Sequence, residues 1–222
     1  MMNSKVPYDK STVIWSPEGE LVQLSYARRA SERGLSAAAL ILDPEKHVIL
    51  LAGRVKKDKL IEPQPKIRLI NDDLYFMASG LSSDSNLLLQ QSRLVAQRHK
   101  LIYGEEIGPD SLAKIIGDLM ARHTITGGLR AFGAALLIAG FKPHTNEPKI
   151  IYIDNGGSFF SAKAYSAGED ADKIVGYFRE NFKSPLTVEE GKKMMLEAFN
   201  FATADKEKIT DADVEFHVVQ KE

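Results

Sequence analysis

The chain has 222 residues, of which 44% are hydrophobic, with 29 Lys and Arg against 30 Asp and Glu and no cysteine. That length suits one domain with a sizeable core; the balanced charge argues against a nucleic-acid binder, and the missing cysteines exclude disulfides, thiol catalysis and thiolate zinc sites. No apolar run reaches the length of a membrane span, and the opening "MMNSKVPYDK" has no apolar h-region, so neither a membrane segment nor a secretory signal is expected.

The first expected element is a helix over residues 17–33. Ser16 suits its N-cap, Pro17 its first helical position and Gly34 a left-handed end. Leu21, Leu24, Ala27 and Ala30 give it only a thin apolar stripe, as in a helix that completes its burial against a partner. Two apolar runs at 35–42 and 47–53 flank "DPEK", a turn with Pro in second place. "PKIRLI" and "LYFMAS" follow around Asn71-Asp72-Asp73, and the four strands read as an antiparallel meander.

A helix from Ser83 carries Leu87, Leu88, Leu94, Val95, Leu101 and Ile102 at helical spacing. A second begins after Gly108, with Pro109 in its first turn and a stripe of Leu112, Ile115, Ile116, Leu119 and Met120. Three strands come next, "AFGAALLIAGF", "KIIYIDN" and "SFFSAKAYS", the last two joined by the hairpin signal "DNGG". Then a helix carries Ile174, Val175 and Phe178, another opens with a capping box at Thr187 and Glu190, and "DVEFHVVQ" is the final strand. Runs of strands and runs of helices indicate an α+β fold. Strands apolar on both faces require sheets covered on both faces. Two stacked sheets, each backed by a helix pair, satisfy the pattern within a single domain spanning 1–222.

The sequence shows no catalytic centre. His47, His99, His123, His144 and His217 are scattered without ligand spacing, so no metal or other cofactor is expected. "GGLRAFGAA" has the glycine gap of a phosphate loop, but Ala134 and Ala135 stand where Lys and Ser or Thr must follow. The pairs Asp72-Asp73 and Glu105-Glu106 sit in expected turns, where solvation accounts for them.

Several ordered motifs resemble the α-type subunits of the 20S proteasome. Tyr8-Asp9, the stretch Trp15-Ser16-Pro17-Glu18-Gly19 and the stretch Gln23-Leu24-Ser25-Tyr26-Ala27 match that family's opening signature. "SGLSSDS", "GGLRAFGAALLIAGF" and "DNGG" match three further family stretches in order. The departures are Trp15 for Phe, Ser25 for Glu, Ala131 for Pro, and a chain that ends after its last strand where relatives commonly add a helix.

The resemblance implies a four-layer αββα sandwich, the N-terminal nucleophile hydrolase fold, with an extra N-terminal helix. It implies a seven-membered ring of α-type subunits stacked on catalytic β-type subunits, docking an ATPase or other regulatory particle and admitting unfolded polypeptide. No nucleic acid or membrane partner is implied, and the location is cytoplasmic, also nuclear in a eukaryote. Residues 1–10 become a gate, with Tyr8, Asp9, Pro17 and Tyr26 clustering to hold its open form, and Leu21 and Leu24 become ring contacts. Lys66, Gly80 and Leu81 become a pocket for the C-terminal carboxylate of a regulator. The family's β-type subunits use an N-terminal Thr aided by an Asp and a Lys. Here Gly53 takes the acid position and only Lys66 remains, so no catalysis is expected. Two other readings are a self-processing hydrolase cleaved before Ser36 and a free-standing assembly factor on the same fold.

Overall fold

Alternation along the first strand sets the layering. In β1 (Ala37–Asp43), Ala37, Ala39 and Ile41 join one buried cluster while Ala38, Leu40 and Leu42 join another. Its hairpin partner β2 (Val48–Arg54) divides in the same way. Both strands therefore have a core on each face. The computed structural model describes residues 13–56, 58–60, 62, 64–204 and 208–221.

The elements run α1 (Val22–Ser31), β1, β2, β3 (Arg68–Asn71), β4 (Leu74–Gly80), α2 (Ser82–Tyr103), α3 (Pro109–Ile125), β5 (Ala134–Phe141), β6 (Pro148–Ile153), β7 (Phe159–Ala162), β8 (Ala164–Ala167), α4 (Ala171–Asn181), α5 (Val188–Ala202) and β9 (Val214–Gln220). Two antiparallel sheets form, ordered β8-β1-β2-β9 and β3-β4-β5-β6-β7. Helices α2 and α3 cover the five-stranded sheet, where Leu88, Leu112, Ile116 and Met120 meet Phe76, Leu136 and Ile138. Helices α4 and α5 cover the four-stranded sheet through Ile174, Phe178, Met195 and Phe199. Between the sheets Ile49 and Leu51 meet Met77, Leu137 and Ile150. This is the expected four-layer α+β sandwich. No described helix is long and apolar enough to cross a membrane.

Four expectations are corrected. Helix α1 starts at Val22, with Leu21 as N-cap, rather than at Pro17. "SPEG" is instead a turn: Gly19 N–H donates to the Ser16 carbonyl at 2.9 Å, and Glu20 N–H reaches Ser16 Oγ at 3.2 Å. Gly19 closes it with φ +79°, a conformation that a helix cannot pass through. At the other end the helix stops at Ser31, and Gly34 is not left-handed. Gly34 is required for space, since a Cβ there would lie 2.2 Å from the Gly80 nitrogen.

The four early strands are also not one meander, because β1-β2 and β3-β4 lie in different sheets. Finally, "SFFSAKAYS" is two strands. It breaks at Lys163, with β7 on β6 and β8 on β1. The capping box of α5 is present as expected, with Thr187 and Glu190 bonding each other's backbone amide.

Candidate binding site

The end of the sandwich where β4 finishes and β5 begins is unusually close-packed. A Cβ on Gly80 would sit 2.0 Å from the Gly133 carbonyl oxygen and 2.9 Å from the Ser31 Cα, so α1, β4 and the approach to β5 meet at backbone distance. Ser79 Oγ lies 3.1 Å from the carbonyls of both Ser31 and Leu35. The buried Asn155 amide, from the "DNGG" turn, donates to the Ala27 and Phe132 carbonyls and accepts from Ser31 Oγ at 2.9 Å. These polar bonds fix a helix that buries only Ala27 and Ser31. Leu21 and Leu24 are half-buried on it, and Tyr26 is 45% exposed.

Beside this junction is a pocket of about 230 Å³, lined among others by Pro65, Lys66, Arg68, Gly80, Ser82 and Asn86. Lys66 is half-buried. It precedes β3, and its backbone N–H donates to Glu215 Oε2 at 2.6 Å. Its stem crosses Gly53 of β2, where a Cβ would come within 2.4 Å of the Lys66 Cγ. The side chain has no ion pair among the described residues. Burial, aided by the Arg68 charge, pushes its ammonium down to about 8. Arg68 is held in turn by Asn86 Oδ1 at 2.5 Å and by the Phe76 ring at 5.5 Å.

Lys66 and Gly80 come together. Leu81 does not line the pocket: it is the N-cap of α2, and its side chain covers Gly133. Arg68, Ser82 and Asn86 join instead. A following Arg was the readable signal for the first, and the other two come from the first two turns of α2. Pro17 lies exposed in the turn before α1. Tyr8 and Asp9 lie outside the described residues.

A larger cavity of about 490 Å³ opens between α1, the "DNGG" turn and the start of α4. It is the weaker candidate, because ion pairs within the chain take up both of its cations. Arg28 meets Asp154 at 3.3 Å, and Lys173 meets Asp170 at 3.2 Å.

No group of three or more His, Cys, Asp or Glu able to hold a metal occurs among the described residues. Both adjacent acid pairs contribute ion pairs within the chain. Asp73 meets Lys221 at 2.6 Å, and Glu106 meets Lys100 at 2.5 Å and Asn71 at 2.7 Å. The "GGLRAFG" stretch is anchored by Asp84, which accepts from Arg130 at 2.6 and 2.7 Å and from the Gly133 amide at 2.8 Å. Ser36 is buried, and its Oγ donates to the Glu169 carbonyl at 2.6 Å.

Residues 36–219 match the sequence model described as Proteasome subunit. The chain belongs to the proteasome subunit family. Among proteins named proteasome subunit alpha, that of Thermococcus sibiricus is 36% identical over 195 residues, 87% of this chain and 73% of the relative. That of Methanopyrus kandleri is 33% identical over 221 residues, 99% of this chain and 87% of the relative. Proteasome subunit alpha 1 of Haloferax volcanii is 36% identical over 193 residues, 86% of this chain and 75% of the relative. The family match begins at Ser36, so α1 precedes it. The Methanopyrus kandleri match takes in all but one residue and so includes that helix. These likenesses make the chain an α-type subunit of the proteasome core, working in a complex with other proteasome subunits.

Proposed function

We propose that this α-type subunit has no peptidase activity of its own and forms a seven-membered outer ring on catalytic β-type subunits in the cytoplasm. The ring controls the access of unfolded polypeptide and receives the C-terminal carboxylate of a regulatory particle at Lys66. The observation that carries this reading is helix α1, clamped by Asn155 and Ser79 at the end of the sandwich ahead of β1. An N-terminal nucleophile needs a free amine beside its hydroxyl. Here the chain continues from β1 back into α1, and Ser36 Oγ is spent on the Glu169 carbonyl. Gly53 offers no carboxylate to Lys66. The thin burial of α1 leaves Leu21 and Leu24 for a neighbouring subunit, and residues 1–10 are the proposed gate.

At the pocket, an ammonium with no counter-ion among the described residues suits a carboxylate brought by a partner. Co-expression with a β-type subunit should give a stacked particle by native mass spectrometry, and the α-type chain alone should hydrolyse no fluorogenic peptide. Hydrolysis by the pure chain that disappears in Ser36→Ala would establish the self-processing reading instead. In the particle, Lys66→Ala should weaken a peptide with a free C-terminal carboxylate by on the order of 1.5–3 kcal/mol, the range for hydrogen bonds to charged groups. Wild-type affinity should also fall as the pH rises through about 8, where the ammonium is lost. Undiminished binding in Lys66→Ala would remove the residue from the site.

A further inference from the structure

Among the described residues, the Lys66 ammonium in this pocket has no acid to pair with. The acid beside it, Glu215 on β9, instead receives the backbone amides of Lys66 and Ile67 at 2.6 and 3.4 Å. From β2 the facing residue is Gly53, which carries no charge. From β3 it is Arg68, a second cation in the same pocket. From α2 come Ser82 and Asn86, both neutral, while Arg93 on that helix is held at the Leu69 carbonyl at 2.7 and 2.9 Å. Burial and the Arg68 charge thus favour the neutral amine, and the stem packed on Gly53 holds that amine in few conformations.

We propose that Lys66 is a modification site at which an acyl phosphate acylates Nζ, and that the neutral amide so formed closes the pocket to carboxylate ligands. The second half of this proposal rests on the reading of the pocket given above; the first half does not. The Nζ lone pair attacks the acyl carbon, a C–N bond forms, and the carbon–oxygen bond to phosphate breaks. Inorganic phosphate leaves with the electron pair, and the displaced Nζ proton passes to water. Arg68, whose guanidinium is fixed at the pocket wall, supplies the positive charge that draws the phosphate end of the donor.

The lowered ammonium sharpens the selectivity. An amine titrating at about 8 is roughly a quarter neutral at pH 7.5, against roughly a tenth of a per cent for an ordinary exposed lysine. Lower basicity costs some nucleophilicity, as it does for thiols. The net expectation is about a tenfold advantage over exposed lysines.

The test is to treat the full chain with acetyl phosphate across a pH series and follow each lysine by peptide mass spectrometry. Lys66 should acetylate about tenfold faster than the exposed Lys46 and Lys193, with a rate that levels off near pH 8 while theirs continues to climb. Arg68→Gln should slow acetyl phosphate at Lys66 more than it slows acetic anhydride, which carries no phosphate. A Lys66 rate no greater than that of Lys46 and Lys193, or one climbing with pH as theirs does, overturns the modification site whatever the tail peptide does. Selective acetylation with unchanged binding of the carboxylate peptide leaves the modification standing and overturns the closing of the pocket to carboxylate ligands.

Discussion

Gly80→Ala is expected to cost the fold about 4 kcal/mol, the sum of overpacking and of backbone strain. The residue sits at φ +122°, and its missing Cβ would overlap the Gly133 oxygen at 2.0 Å, the Ser31 Cα at 2.9 Å and the Ala134 Cα at 3.0 Å. All three obstacles are backbone, so no side chain can turn aside. Relief requires β4 to part from the approach to β5 and α1 to lift as well. Gly128→Ala is the control: its φ is +84°, but nothing lies within 4 Å of an added Cβ. It should lose only the strain, about 1 kcal/mol. Urea midpoints for the two variants decide the matter. Equal losses would show that conformation, and not close approach, is what Gly80 supplies.

Arg130→Ala is expected to cost about 2–3 kcal/mol. Removing one partner of a buried pair usually costs about 3–5 kcal/mol, and the figure is reduced here because the Arg130 side chain is 61% exposed while that of Asp84 is 6%. The variant strands a carboxylate with the Gly133 amide as its main remaining donor. In the native chain the Arg130 hydrogen bonds, with the Gly133 amide behind them, hold the Asp84 carboxyl below the usual range against its burial. A depressed carboxylate contributes stability above its unfolded value and loses it as the pH falls through the folded one. The gap between wild type and variant should therefore be widest at neutral pH and narrow on acidification, as the Asp84 carboxylate takes up its proton below the ordinary carboxylate range. A gap that ignores pH would mean that Arg130 acts through packing alone.

Local signals were legible in the sequence, and long-range ones were not. The capping box at Thr187 and the "DNGG" hairpin are decided within four residues, and both are where expected. The start of α1 was misread because Ser16 and Pro17 are equally good turn residues, and only the left-handed Gly19 decides between turn and helix. The meander was misread because β1, β2 and β4 are all apolar. Strands covered on both faces carry no mark of which sheet they join. "SFFSAKAYS" contains no Gly or Pro to announce its break. At the pocket, family likeness supplied Lys66 and Gly80. It could not supply Asn86, whose place beside Arg68 depends on how α2 lies across the sheet. Nor could it show that Leu81, in capping α2, turns its side chain onto Gly133.

The passage from β7 to β8 carries one further implication. A single residue, Lys163, separates a strand of one sheet from a strand of the other, and its carbonyl accepts the Ile41 amide at 2.8 Å. The chain there has no slack, so its reading frame is locked to both sheets at once. One residue inserted after Lys163 would exchange the two faces of β8, turning Ser166 away from the buried Ala37 carbonyl that it now meets at 3.1 Å. The same insertion in the turn at 142–147, which is closed by its own backbone bonds, would leave β5 and β6 in register. Near-ultraviolet circular dichroism should keep its native form in the second variant and lose it in the first. Length changes in this chain are thus confined to its turns, and the short crossing between the sheets admits none.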